Sequence, residues 1–208
     1  MASGGATDAE AIIREIENGR LDAKIVALIS DRSDAYALIR AKEHGIPAIC
    51  IDAGNKPKNG SDAGIRDIIY QLNPDLILLL GWMKIMSPEF VRRYGHMTWN
   101  IHPSLLPTFA GKMDRSVHEE LLRRGAKLTG CSLIRIDENA DTGPIILQRA
   151  VEVREDDTVD SLRDRVQKAE QEILLEAIKL FMEYRLEFAI NRYGGEYIKI
   201  LPLPTQPV

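Results

Sequence analysis

The chain of 208 residues is poor in cysteine, holding only Cys50 and Cys131, each inside an apolar stretch. Thiols so placed read as reduced core residues, which excludes a disulfide-built secreted scaffold. No apolar run approaches the ~20 residues that a membrane-spanning helix needs. The opening residues, Met1-Ala-Ser-Gly-Gly5, lack the basic and apolar regions of a signal peptide. Excess charge of one sign is missing too. A formal charge of -4 and a pI near 5.7 give no long-range pull towards nucleic acid or anionic lipid. Repeats and low-complexity segments are also absent. The expectation is a cytoplasmic protein, monomer or homodimer, whose partners are small molecules, with no nucleic acid and no membrane. What is present is an ordinary globular composition. Hydrophobic residues make up 45% and charged residues 28%, enough for a sizeable core, so disorder is not expected. The length suits one domain over residues 1–208.

Strand and helix patterns alternate along the chain. Thr7 to Arg20 reads as a helix with a capping box from Thr7 and Glu10, an apolar face from Ile12, Ile13 and Ile16, and a stop at Gly19. Ala23 to Ile29 is a short β-branched apolar run and reads as a buried strand, followed by a helix over Asp34 to His44. Pro47 to Ile51 reads as strand, Ser61 to Leu72 as helix, and the apolar run of Asp75 to Leu80 as strand. Ser87 caps a further helix with Pro88 in its first turn. Strand at Met97 to His102, helix at Ser116 to Arg124, strand at Thr129 to Ile136 and an extended Pro144 to Val153 follow. A long helix over Asp157 to Tyr184 opens at Thr158 and Asp160, and the Pro-rich end of the tail cannot be regular. Apolar strands separated by amphipathic helices predict an α/β fold, an open, mostly parallel twisted sheet with helices on both faces.

Three segments carry chemistry. Asn100 and His102 stand two apart at the end of a predicted strand, so both face one side, where ligands of open α/β sheets gather. An amide donor beside an imidazole suits an oxyanion and a moving proton. A strand-end histidine bonding a loop carbonyl and a turn asparagine fit the same spacing. Asp137-Glu-Asn-Ala-Asp141-Thr-Gly-Pro144 is an acidic loop, and Asp141 could hold a histidine oriented and cationic, or simply close a turn before Gly143. Ser3-Gly-Gly-Ala-Thr-Asp8 leads into the first helix, where backbone N–H groups and the helix dipole suit a phosphate, although an ordinary cap uses the same residues.

Taken together these segments resemble the glycinamide ribonucleotide formyltransferases, folate-dependent enzymes of de novo purine synthesis. The resemblance runs from Ala2 to about Tyr184. It is carried by Ser-Gly-Gly before Glu10-Ala-Ile-Ile13, Gly81-Trp-Met-Lys-Ile-Met-Ser-Pro88, Asn100-Ile-His-Pro-Ser-Leu-Leu-Pro107, Val117-His-Glu119 and Asp141-Thr-Gly-Pro-Ile-Ile-Leu-Gln148. It implies a Rossmann-like formyltransferase domain, with a phosphate- and nucleotide-binding N-terminal half and a folate-binding, catalytic C-terminal half. It also implies 10-formyltetrahydrofolate as co-substrate, glycinamide ribonucleotide as acceptor, and no metal. Asn100, His102 and Asp141 match the family's catalytic trio. Met83, Lys84, Ile85 and Met86, with Glu138, Asn139, Ala140 and Asp141, match the segments that meet the pterin, alongside Asn100. Plain core packing would equally explain Met83, Ile85 and Met86. Lys58 falls where the family often has an arginine facing the folate glutamate. Gly4, Gly5, Ala6, Thr7 and Asp8, with Gln167 and Glu170, match the ribonucleotide-binding positions.

Two departures stand out. Only Met1 and Ala2 precede Ser3, where family members have a leading strand. Its omission would leave two neighbouring strands with unpaired edges. An upstream start, another segment or chain filling the gap, and a degraded paralogue are the alternatives. The phosphate loop carries Ala6-Thr7-Asp8 in place of Gly-Ser-Asn, so a carboxylate stands near the expected phosphate unless Asp8 turns to cap its helix. The altered loop favours formyl transfer to another acceptor and the missing strand a non-catalytic folate-binding paralogue, with hydrolysis of the formyl folate as a further alternative.

Overall fold

The computed structural model describes residues 1–51, 62–112 and 114–203. The chain divides into two compact units. The first comprises Met1–Ile101 with Arg135–Asp141, the second His102–Ile134 with Thr142–Val208.

In the first unit α1 (Thr7–Glu17) precedes β1 (Leu28–Ser30), α2 (Tyr36–Glu43), β2 (Ala48–Cys50) and α3 (Ala63–Leu72). Then come β3 (Ile77–Leu79), α4 (Pro88–Tyr94), a short 3-10 turn and β4 (Thr98–His102), whose final residue is assigned to the second unit. Both strand pairs are parallel, β1 with β2 and β3 with β4. The ladder formed by β1 covers three residues rather than the whole apolar run from Ala23, because its partner β2 offers only three. Apolar residues from these strands and from α3 and α4 make the core, including Ile29, Ile65, Ile69, Ile77, Leu79, Phe90 and Tyr94.

The place expected to stand unfilled beside β1 and β3 is taken in part by Met1, Ala2 and Ser3. The amide of Ala2 donates to the Ile29 carbonyl (2.9 Å), and the Met1 nitrogen to Leu78 (2.5 Å). Leu80 donates back to the Met1 carbonyl at 2.9 Å, and Ser3 donates to Gly81 at 3.3 Å. Three residues of extended chain therefore bond to both edges that the sequence analysis expects to be bare.

In the second unit α5 (Asp114–Arg123) and α6 (Val159–Met182) accompany two antiparallel pairs. These are β5 (Leu128–Arg135), whose last residue lies in the first unit, with β6 (Ile145–Glu152), and β7 (Leu186–Ile190) with β8 (Glu196–Ile200). On α6, Leu162, Val166, Ala169, Ile173 and Ala177 recur every three or four residues and are buried, the period of one helical face. Thr158 caps α6 with Ser161 as its reciprocal partner, so the cap does not involve Asp160. The β7–β8 hairpin has no counterpart in the sequence reading, which stops at Tyr184.

The start of α1 also differs from expectation. Its N-cap is Ala6, Thr7 is already helical, and no side chain caps the end. Glu10 is instead engaged by Arg14 (2.7 Å) and by Arg40 of α2 (2.5 Å). His44, which closes α2, joins the same cluster through Nδ1 to Glu17 at 2.7 Å. The Glu17 carboxylate raises the His44 pKa above its ordinary value, with smaller contributions from Glu10 and Glu43. A raised folded-state pKa means that the protonated imidazole stabilises the fold. That stabilisation is complete below the unfolded value of about 6.5 and is lost as pH rises through the folded one. Thermal melts should therefore show wild type exceeding His44→Gln by most at about pH 6, with the gap closing towards about pH 8.5.

Candidate active site

In the first unit the amide of Ile136 donates to the Thr98 carbonyl at 3.0 Å, laying residues 135–141 beside β4. At the end of this stretch Asp141 takes a left-handed backbone (φ 57°), a conformation that aspartate tolerates better than most residues. Its Oδ1 accepts a hydrogen bond from Asn100 Nδ2 at 3.2 Å. The loop before it is folded on itself, with Asn139 N–H donating to Asp137 at 3.0 Å, and Glu138, Asn139 and Ala140 are exposed. Asn100 thus keeps one amide hydrogen on Asp141 and has a second to offer.

The segment after β3 is held at three points. Met83 N–H donates to Ser3 Oγ (3.1 Å), Lys84 Nζ lies 3.0 Å from Asp31, and Ser87 N–H donates to Asp62 (2.8 Å). Between these points the main chain of Lys84, Ile85 and Met86 makes no hydrogen bond among the described residues. Met86 is 8% exposed and belongs to the core, whereas Met83 and Ile85 are 55% and 76% exposed. Core packing therefore accounts for Met86 alone. Two outward apolar side chains beside peptide groups that pair with none of the described residues suit a flat heteroaromatic ring that needs both contact area and hydrogen bonds.

At the start of α1, Gly4 and Gly5 are exposed, and Ala6 is held left-handed at φ 49°. Asp8 is only 7% exposed. It is buried rather than standing out in the loop, which corrects the expectation of an exposed carboxylate there. A helix start behind two exposed glycines suits an anion.

In the second unit His102 is 4% exposed, and its Nε2 lies 3.2 Å from the Phe109 carbonyl. A carbonyl can only accept, so Nε2 carries the hydrogen of this bond. The loop supplying that carbonyl is fixed by buried Ser132. The Ser132 hydroxyl donates to Ser104 O (2.7 Å) and accepts from Leu106 N (2.9 Å) and Gln148 Nε2 (2.8 Å). Gln148 also donates to Leu106 O at 3.0 Å. Gln167 is half-buried and Glu170 buried on α6. Lys58 lies outside the described residues. Among those described, no group of three His, Cys, Asp or Glu side chains is gathered as metal ligands, and no helix is long and apolar enough to cross a membrane.

The roles of Ser3, Asp31, Asp62 and Ser132 escaped the sequence reading. Asp31, Asp62 and Ser132 are single short polar residues with no spacing to mark them, and the contact of Ser3 with Met83 cannot be read from its motif. Gln148 stands in a quoted motif, but its contact with the loop after His102 requires the β5–β6 register, which the sequence does not display.

Residues 1–178 match the family described as formyl transferase. The chain belongs to the formyl transferase family. The phosphoribosylglycinamide formyltransferase of Haemophilus influenzae is 35% identical over 92% of this formyl transferase and 89% of its own length. The trifunctional purine biosynthetic protein adenosine-3 of Bos taurus is 36% identical over 86% of this chain, which spans 18% of that longer protein. Among solved structures, glycinamide ribonucleotide transformylase 1 of Symbiobacterium toebii has a TM-score of 0.86 at 36% identity, covering 97% of this chain and 92% of its own. The expected α/β formyltransferase fold with a mostly parallel sheet is the one observed.

Two measurements check the local arguments. Ser132→Ala strips the His102 loop of a donor and an acceptor, and should cost about 1–3 kcal/mol in a urea titration at unchanged slope. Ala6→Gly should raise the unfolding free energy by up to about 1.5 kcal/mol, since a left-handed alanine costs ~1–2 and the added chain entropy of glycine ~0.5–1.

Proposed function

We propose that the protein transfers the formyl group of 10-formyltetrahydrofolate to the amine of glycinamide ribonucleotide, in purine biosynthesis. The observation that carries this reading is the Asn100–Asp141 hydrogen bond at the end of β4, in a chain matched over residues 1–178 to formyl transferases. His102 follows Asn100 by two residues on the same strand.

The amine nitrogen attacks the formyl carbon, so a new C–N bond forms and the carbonyl oxygen becomes an oxyanion. The second amide hydrogen of Asn100 and the protonated imidazole of His102 stabilise that charge. Asp141 holds Asn100 in orientation, supports the imidazolium, and takes part in moving the proton from the attacking amine to the leaving folate nitrogen. Collapse of the tetrahedral intermediate breaks the old bond to that nitrogen and releases tetrahydrofolate. Neither a metal nor a covalent enzyme intermediate enters this scheme.

The pterin is assigned to the main chain of Met83, Lys84, Ile85 and Met86 and to Glu138, Asn139, Ala140 and Asp141. Support comes from the main chain of Lys84, Ile85 and Met86, which pairs with none of the described residues, and from the exposure of Glu138, Asn139 and Ala140. Gly4, Gly5, Ala6, Thr7 and Asp8 offer the phosphate a helix start, and Gln167 and Glu170 are assigned to the ribonucleotide. Asp8 is buried rather than standing out in the loop, which favours the usual acceptor.

Absorbance of the folate product should rise only when glycinamide ribonucleotide is supplied, and turnover without an acceptor would instead mark a hydrolase. In the same assay His102→Ala should lower kcat by about 10²–10⁴. Activity near wild type would refute the role given to this histidine.

A further inference from the structure

Asp31 directly follows β1 and is 6% exposed, a deeply buried carboxylate. Its Oδ2 lies 3.0 Å from Lys84 Nζ, while its buried Oδ1 has no hydrogen-bond partner among the described residues. The indole Nε1 of Trp82 is likewise buried and without a partner. Both residues line one cavity of about 10 Å³, with Asp62, Lys84 and Met86 also in its wall. A buried acceptor and a buried donor left unsatisfied would each be costly, and a space of this size takes about one water molecule. A water there would donate to Oδ1 and accept from the indole N–H. A cation is the wrong occupant, because an N–H donor faces the space and the nearby Asp62 carboxylate is already engaged by Ser87 N–H and Arg66.

We infer that Asp31 is the positioning residue of the segment from Trp82 to Met86, holding Lys84 directly and the Trp82 indole through one buried water. This rests on the reading that the segment receives the pterin. Without Asp31 the segment keeps, among the described residues, its outer ties of Met83 to Ser3 and Ser87 to Asp62. The peptide groups of Lys84, Ile85 and Met86 then sample several arrangements. A ligand that needs one of them must pay for ordering it. Asp31 touches neither substrate, so saturating folate restores the rate.

The test is steady-state kinetics on the full chain. Asp31→Ala raises KM for formyl folate by on the order of tenfold, while kcat and the KM for the ribonucleotide stay within about twofold. Asp31→Asn, which still offers Lys84 an acceptor, restores KM to within about threefold of wild type. Lys84→Met reproduces the alanine effect, and the double variant is no worse than either single, since both remove one interaction. A folate KM unchanged in Asp31→Ala, or effects that multiply in the double variant, overturns the inference.

A second readout needs no ligand. Trp82 and Trp99 are the two tryptophans, so Trp99→Phe leaves Trp82 alone. In that background Asp31→Ala shifts the emission to longer wavelength, and an unmoved spectrum with an intact thermal transition counts against the anchor. A shifted spectrum in a protein that shows no formyl folate turnover as wild type would retain the anchor and defeat the folate reading.

Discussion

A single amide-to-carboxylate hydrogen bond, Asn100 to Asp141, sets the requirement that the first unit must meet. The two residues are forty-one positions apart in sequence, so the chain must leave the unit after β4 and return to it. The return is secured by backbone pairing of Ile136 with Thr98, before any functional side chain is involved. The left-handed turn at Asp141 then points the carboxylate back at the strand. Order of this kind precedes chemistry: donors that must meet a developing oxyanion are effective only when they need not reorganise.

The candidate site segments share a second property, namely that polar side chains far away in sequence tie down their main chain. Ser3 and Asp62 hold the ends of the stretch after β3, and Ser132 with Gln148 holds the loop after His102. Ser132 is saturated as a hub, giving one hydrogen bond and receiving two. Irregular backbone has no ladder to fix it, so these side chains supply the partners that a strand or helix would provide.

Much of this was legible from residues alone. Alternating apolar runs and amphipathic stretches located every helix and the strands up to β6. Ser87 with Pro88 announced the start of α4 correctly, because that cap depends on local geometry. Asn100 and His102 could be placed together from the strand period. Other features were out of reach. Thr7 and Glu10 look like a capping box, but Arg14 and Arg40 claim Glu10, and Arg40 comes from another helix. Met83, Ile85 and Met86 are indistinguishable by composition, yet only Met86 faces the core. The hairpin over Leu186–Ile190 and Glu196–Ile200 was missed, although Asn191-Arg-Tyr-Gly-Gly195 between two alternating runs is a recognisable turn signal.

The backbone at Asp141 has a bearing on how substitutions there are interpreted. Alanine at this position would remove the carboxylate and also force a methyl-bearing residue into a left-handed conformation that it resists. Any loss of activity would then mix chemistry with distortion of the loop. Asparagine enters the same region with little penalty and still offers an oxygen to Asn100, so it separates the contribution of charge from that of shape. A scan restricted to alanine would overstate the ionic part of this residue's role.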